Sequence, residues 1–386
     1  MDAAELKRTW ALAESLGDEV PLYFYSHLFL SHPDTRDMFP VSMATQRDRL
    51  VGALGRIVSH VDRVDEVSEF IAQLGRDHRR FGAVAAHYDA VGASLLATLA
   101  HFLGDEWTPQ LATDWASAYG LIAKVMVVAA DEAEGEPAVW DAEVIEAERL
   151  TLDVSKLRFR PNRPYEYRPG QSMAVEIPQR PRLWRYLSPA NAPREDGTID
   201  VHVQYIAGGQ VSGALVRRVT EGDQVRLGAP VGTELVLNGG PPRDLLLVAG
   251  GTGLAPLRAV LERIDQEAGS DGAPPEVHLF HGVRLPWGLY DHGYLSSLAE
   301  ARSWFTYTPV VSDDSTYPGR TGLVGQVAAA HPDRPGRLAM VCGSPAMVAG
   351  ARAALARAGT PTEDIRFEQY GNLDEDSHEH NSPSEP

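Results

Sequence analysis

Three parts of this chain carry residue types at spacings that could do chemistry. The first is Arg76-Asp77-His78-Arg79-Arg80-Phe81. A neutral imidazole is a common metal ligand, although a lone helical histidine is more often a surface or satisfied-core residue. The second joins Arg185-Tyr186-Leu187-Ser188 to Gly208-Gly209-Gln210-Val211-Ser212. Glycines ahead of a helix let backbone N–H groups approach a pyrophosphate, and an arginine fork binds phosphate through two parallel donors. The third is Gly250-Gly251-Thr252-Gly253-Leu254-Ala255-Pro256, directly after the apolar run Asp244-Leu245-Leu246-Leu247-Val248-Ala249. It is not the Gly-x-Gly-x-x-Gly fingerprint, but the same close backbone approach to a dinucleotide is available to it. Cys342-Gly343-Ser344-Pro345-Ala346-Met347 and Phe367-Glu368-Gln369-Tyr370-Gly371 complete the set. Their ordinary reading is structural, since a lone cysteine after a strand is usually a small buried hydrophobe.

The elements that must hold these residues change character along the chain. Up to about residue 135 apolar side chains fall at three- and four-residue steps (Leu50, Leu54, Ile57, Val61; then Leu111, Trp115, Tyr119, Ile122, Met126), the period of a helix face. Ser31-His32-Pro33-Asp34 and Thr108-Pro109 are helix punctuation, because proline is tolerated only in a first turn. From Glu146 the pattern becomes short alternating strands between Pro and Gly turns: Thr151–Val154, Met173–Ile177 and Ile199–Val203. That predicts an antiparallel barrel, with a strand at Tyr167–Gln171 and a short helix over Gly213–Val219. Beyond Asp244, apolar strands at Glu276–Phe280, Phe305–Val311 and Leu338–Cys342 alternate with helices such as Leu257–Ile264. This is the signature of a doubly wound α/β domain with its ligand at the carboxyl ends of the strands.

Composition excludes several function classes. A net charge of -18 without a Lys/Arg run argues against nucleic acid and against anionic membrane surfaces. With one cysteine no intrachain disulfide can form, which fits a reducing compartment. The first residues show no signal-peptide pattern, and no apolar run long enough for a membrane span stands out. A cytoplasmic protein is expected. Asp374–Pro386, with His378 and His380, is acidic and is expected to be a disordered, solvated tail.

The order Phe24-Tyr25, His32-Pro33, Met38-Phe39, Thr45-Gln46-Arg47, His78 and Tyr88 resembles the haem domain of bacterial flavohaemoglobins. The two motifs at 185–188 and 208–212 resemble the flavin barrel of the ferredoxin-reductase superfamily, and the later motifs resemble its NAD(P)H lobe. The resemblance implies a multidomain fold: all-α globin (1–136), linker (137–145), antiparallel β-barrel for FAD (146–240), α/β doubly wound NAD(P)H domain (241–372) and tail (373–386).

Haem b, FAD and NADH are the implied cofactors. NADPH is the alternative, because Arg284 in His281-Gly282-Val283-Arg284 sits where a ribose 2′-phosphate would be read. By the same resemblance His78 ligates the iron, Phe39 packs on the porphyrin, and Tyr25 and Gln46 stabilise the negative charge of an oxygen ligand. Tyr88 belongs to a proximal network that in the family includes a carboxylate. The matching position here is Ala130, and Asp131 and Glu132 are expected on other faces of the helix. Arg185 would contact the FAD diphosphate and Ser188 the flavin ring, while Gly209, Val211 and Ser212 cradle the phosphate end. The family's aromatic at position 187 is replaced by Leu187, with Tyr186 one residue early. In the third domain Gly250, Gly251, Thr252, Gly253 and Pro256 approach the dinucleotide. Cys342 and Gly343 lie near the nicotinamide, and Glu368 and Tyr370 near the flavin.

The implied activity is NAD(P)H-dependent nitric oxide dioxygenation, with O2 and NO as small-molecule partners and nitrate as product. Two alternatives stay open: a flavin/haem redox enzyme with a different acceptor or substrate, and an oxygen-binding or sensing globin with its own reductase.

Overall fold

The computed structural model describes residues 1–237, 243–268, 273–331 and 336–370, so the tail expected at 373–386 lies outside the described residues. The chain divides after Val139 into two compact units. The first is all helical: α1 Ala3–Glu14, α2 Glu19–Ser31, α3 Ala44–Ser59, α4 Ser68–His78, α5 Ala85–Leu103 and α6 Pro109–Glu132. Local chemistry sets several ends. Asp2 caps α1 by accepting from the amides of Ala4 and Glu5, and Thr108 caps α6 from its side chain with Pro109 in the first turn. Leu6, Trp10, Phe24, Tyr25, Leu28, Leu95, Leu99 and Trp115 share one core.

By length and composition alone α6 is apolar enough to cross a membrane, a test that packed core helices also pass. In the fold it is a packed helix, with Leu111, Trp115, Ala118, Met126 and Ala129 buried. Its closest neighbour is α4. A side chain at Gly75 would place its Cβ 2.2 Å from the carbonyl oxygen of Met126, so only glycine lets the two helices approach this far. That contact lies one turn before His78 and sets where the histidine sits.

The second unit holds both remaining domains. Strands β1 Val139–Arg149, β2 Val154–Pro161, β3 Ser172–Glu176, β4 Arg185–Leu187 and β5 Ile199–Gln204, helix α7 Gln210–Arg217 and strand β6 Gln224–Val231 form the barrel. Its strand order is β4-β3-β6-β1-β2-β5, and a bridge between Pro189 and Val201 joins the two ends. Three boundaries correct the sequence reading. Most of the stretch taken as linker, 137–145, is strand β1, whose alternating Trp140, Ala142 and Val144 are buried in the barrel core. Thr151–Asp153 is a turn held by the Thr151 hydroxyl, which accepts from the amides of Asp153 and Val154. Residues 167–171 form a turn rather than a strand, closed by Gln171 N donating to Arg168 O.

The nucleotide lobe follows: β7 Leu245–Gly250, α8 Leu254–Glu267, β8 Val277–Val283, α9 His292–Ala301, β9 Phe305–Val311, β10 Arg320–Thr321, α10 Val324–Ala329, β11 Leu338–Gly343, α11 Pro345–Arg357 and β12 Ile365–Gln369. The strands pair in parallel in the order β10-β9-β8-β7-β11-β12. Leu245, Leu247 and Leu279 pack toward α8 and α9, while Leu246, Val248 and Phe280 pack toward α10 and α11. Burial on both faces is why these strands read as unbroken apolar runs.

Candidate cofactor sites

In the helical unit the last turn of α4 presents His78. Its Nδ1 donates to the carbonyl of Leu74 at 2.6 Å, which fixes the tautomer and leaves Nε2 with a free lone pair. Burial pushes its pKa below the usual imidazole range, so the ring is neutral near pH 7. A neutral imidazole with one nitrogen committed and the other open is the donor a haem iron needs, and the half-buried apolar rings around it, Phe81 and Tyr88, suit a porphyrin.

Tyr25 and Gln46 come together from α2 and α3. Gln46 Nε2 donates to Tyr25 Oη at 3.3 Å, and the hydroxyl reaches the Gln46 backbone carbonyl at 3.4 Å. Both bonds are long, so neither donor is firmly committed. Burial pushes the Tyr25 phenol well above its ordinary pKa, which keeps the proton on Oη. Phe39 packs edge-on against Tyr25 at 5.4 Å between ring centres.

On the His78 side, Tyr88 lies 6.2 Å from the imidazole, ring centre to ring centre. The negative charge of Asp131 adds to burial in raising the Tyr88 pKa. Asp131, the residue after Ala130, is exposed on α6, and its charge acts on Tyr88 only through space. Tyr119 was read only as an apolar face residue. Its hydroxyl donates to the Tyr88 backbone carbonyl at 2.6 Å, and a Cβ at Gly92 would meet its ring at 2.5 Å. A glycine inside a helical pattern was the available signal for that close packing.

In the barrel, β4 sets Arg185 half-buried and is followed by Ser188, whose Oγ is buried without a hydrogen-bond partner among the described residues. An orphaned buried hydroxyl costs about 1–3 kcal/mol, and a flavin edge is the kind of polar group that would satisfy it. Strand alternation puts Tyr186 and Leu187 on opposite faces: Leu187 packs against the barrel core, while Tyr186 is 46% exposed. Tyr186 therefore does not substitute for the displaced aromatic. Gly209 is the N-cap of α7, where a Cβ would fall 2.4 Å from Ser212 Oγ. Ser212 Oγ in turn accepts from the Ile206 amide, and Val211 is buried beneath. The first-turn amides of α7 have no partner within the helix and suit a phosphate group. The donor set fits FAD.

In the nucleotide lobe Gly250, Gly251, Thr252 and Gly253 form the turn between β7 and α8. A Cβ on Gly253 would lie 2.2 Å from the Cys342 carbonyl oxygen, so only glycine brings this loop onto β11. Pro256 is buried in the first turn of α8. Parallel pairing sets Cys342 opposite Glu368 and Gly343 opposite Gln369, and Tyr370 Oη donates to Thr252 O at 2.8 Å. Cys342, Gly343, Glu368 and Tyr370 thus meet at the carboxyl ends of β7, β11 and β12, where this fold class binds dinucleotides. Burial pushes Glu368 up to about 7, against a lowering hydrogen bond with Ser172 of the barrel. It pushes the Cys342 thiol well above its ordinary value, so this cysteine is no thiolate near pH 7. Arg284 does not project alone: its Nε donates to Asp313 at 2.7 Å, from the end of β8 to the end of β9. Sequence reasoning missed Arg258, Tyr290 and the role of His281, whose Nε2 donates to Gly251 O at 3.1 Å.

Among known proteins, the globin family profile matches residues 22–126, the oxidoreductase FAD-binding domain profile 141–234 and the oxidoreductase NAD-binding domain profile 247–353. The chain is 26% identical over 402 aligned residues to a flavohemoprotein of Bordetella pertussis, covering 95% of this chain and 97% of that one. Over 229 residues it is 32% identical to the ferredoxin–NAD(P)+ reductase component of a Pseudomonas putida naphthalene 1,2-dioxygenase system, covering 58% of this chain and 67% of that one. In fold it is similar to a Malassezia yamatoensis flavohemoglobin with bound FAD and heme, with TM-score 0.75 and 19% identity, covering 95% and 99% of the two chains.

Proposed function

This chain belongs to the flavohaemoproteins, NAD(P)H-dependent oxidoreductases of haem and FAD, and from that premise we propose that its reaction is nitric oxide dioxygenation, NO plus O2 to nitrate. The observation that carries the reading is the pair of half-committed donors, Tyr25 Oη and Gln46 Nε2, in the same helical unit as a neutral His78 with Nε2 open. When bound, haem supplies an oxygen-binding iron, and FAD converts a two-electron hydride donor into single electrons.

The residues of the chain do the rest. His78 would hold the haem iron through Nε2, with Leu74 O holding the ring. Tyr25 keeps its proton at Oη because burial opposes the phenolate, and with the Gln46 amide it would be a donor to negative charge on a bound oxygen ligand. In a water-poor pocket such fixed donors are worth more than in bulk solvent. Tyr88 lies beside the imidazole, 6.2 Å away between ring centres, and would shape the environment on that side of the ring. Ser188 and Arg185 orient the flavin and its phosphates. The Gly250–Gly253 turn, Cys342 and Gly343 hold the coenzyme, and Glu368 near pKa 7 can hold or release a proton at the carboxyl edge of the sheet. NADH is the proposed coenzyme, since Asp313 neutralises the Arg284 fork that a 2′-phosphate would need. We place the reaction in the cytoplasm, consistent with the one buried free thiol.

The test is NO consumption under air by the haem- and FAD-loaded protein with NADH, with nitrate measured as product. Stoichiometric nitrate, and its loss in His78→Ala, is expected. A second reading has one specific support, the higher identity of the reductase half to a dioxygenase reductase component. If an added acceptor drains NADH faster than NO does, transfer to an external acceptor is the function instead.

A further inference from the structure

The ion pairs of the second unit are not spread evenly. A connected series runs from the barrel into the nucleotide lobe: Arg158 to Asp200 at 2.6 Å, Asp200 to Arg194 at 3.0 Å, Arg194 to Glu262 at 3.5 Å, and Glu262 to Arg258 at 3.1 Å. Arg258 then pairs with Asp291 at 2.8 Å and lies 4.4 Å over the ring of Tyr294. The two carboxylates and the ring hold this guanidinium in one orientation, and its side chain is 14% exposed. One further bond has a different character. Arg258 Nη1 donates to the backbone carbonyl of Ala190 at 2.6 Å.

Ala190 lies in the segment that begins at Ser188, whose buried hydroxyl has no hydrogen-bond partner among the described residues and is the proposed flavin contact. The barrel fastens this segment from its own side: Ala190 N donates to Asp200 O at 2.7 Å, and Tyr167 Oη donates to Asn191 O at 2.8 Å. Arg258 adds a fastening from the other lobe. It sits in the second turn of α8, and the first turn of α8 continues directly from the Gly250–Gly253 loop. One rigid helix therefore connects the coenzyme loop to the flavin segment through a single planar side chain. Fixing two reactants in an aligned, close approach lowers a barrier, and small displacements raise it steeply.

We propose that Arg258 is a positioning residue for hydride transfer: by gripping the Ala190 carbonyl from α8 it sets the alignment of the flavin segment against the nicotinamide loop. The step it serves moves one hydride, two electrons with one proton, from reduced nicotinamide to oxidised flavin, and Arg258 exchanges no proton in it. The inference rests on the oxidoreductase assignment and not on nitric oxide chemistry.

The test uses Arg258→Met in the full-length, haem- and FAD-loaded protein. Anaerobic flavin bleaching by NADH should slow by about tenfold or more, while half-saturation by NADH and the affinity for FAD stay within about twofold. Without any turnover, amide exchange of the peptide spanning 188–192 in the oxidised protein should accelerate. Arg258→Lys, which keeps the charge and loses the planar fork, should recover part of the rate. An unchanged bleaching rate overturns the proposal. So does a loss of rate matched by equal losses of FAD affinity and thermal stability, which marks a merely structural role. Should Arg258→Met fail to fold, Asp291→Asn loosens the Nε side of the same guanidinium. It should slow bleaching several-fold at unchanged NADH half-saturation, and an unaltered rate there is equally fatal. Failure of NO turnover with hydride transfer intact would leave this inference standing and remove the nitric oxide assignment.

Discussion

The helical unit and the nucleotide lobe build their sites in opposite ways. In the first, the proposed site is made of side chains: His78, Tyr25, Gln46 and Tyr88 each project a specific group, while the backbone brings α4 onto α6 at Gly75 and holds the His78 ring through Leu74 O. In the second, the proposed ligand surface is the backbone itself, and Gly250 to Gly253 would act by what they lack. A side-chain site tolerates small shifts of its scaffold but not the loss of a donor atom. A backbone site survives changes of neighbouring side chains but not the addition of one methyl group.

The largest effect expected from this contrast is His78→Ala. It should abolish the haem absorbance band while the flavin spectrum is retained. Haem bound with an unchanged spectrum would break the ligand assignment. Next, Gly253→Ala should destabilise the second unit by about 3 kcal/mol and weaken NADH binding, because its Cβ meets the Cys342 carbonyl. The matching change in the first unit, Gly75→Ala, should cost about 2 kcal/mol by pushing α4 from α6, yet leave NADH binding untouched. Thermal unfolding followed separately by haem and flavin signals distinguishes the two. Equal effects on both signals would erase the comparison.

A third test concerns Glu368. Its folded pKa of about 7 is raised above the unfolded value of about 4.3. The associated stability is fully present below pH 4.3 and is lost as pH rises through 7. The loss is about 2 kcal/mol, given the partial exposure of the group. Glu368→Gln should flatten that part of the stability–pH curve and be the more stable protein above pH 7. The smallest effect is expected for Leu187→Tyr, which restores the family's aromatic at the half-buried position before Ser188 and should tighten FAD by a few-fold, about 1 kcal/mol. Tyr186→Phe, on the other face, should change FAD affinity little.

The fold class was legible because each domain has its own hydrophobic period: three to four in the helices, two in the barrel, continuous runs in the parallel strands. What misled was local. Thr151–Val154 alternates like a strand, yet the Thr151 hydroxyl turns the backbone before β2 begins. The stretch 137–145 looked like a linker because its acidic flank hid the buried Trp140, Ala142 and Val144. A wheel count gives Asp131 a direction around its own helix and says nothing of how far its charge is felt. Whether a charge on α6 reaches a ring on α5 depends also on the helices' separation and crossing, which the count omits.

The sequence by itself determined the order of the three domains and the positions of the glycine-rich loops, since periodicity and glycine placement are local properties, whereas the haem-side donors were named only through the family resemblance. Tertiary structure alone decided that Arg258 reaches Ala190, that Arg284 Nε pairs with Asp313, and that Ser188 Oγ is buried without a hydrogen-bond partner among the described residues. Each depends on residues far apart in the chain being brought within hydrogen-bond range, or kept out of it. No local pattern encodes that distance, because it is set by how the helices and sheets pack.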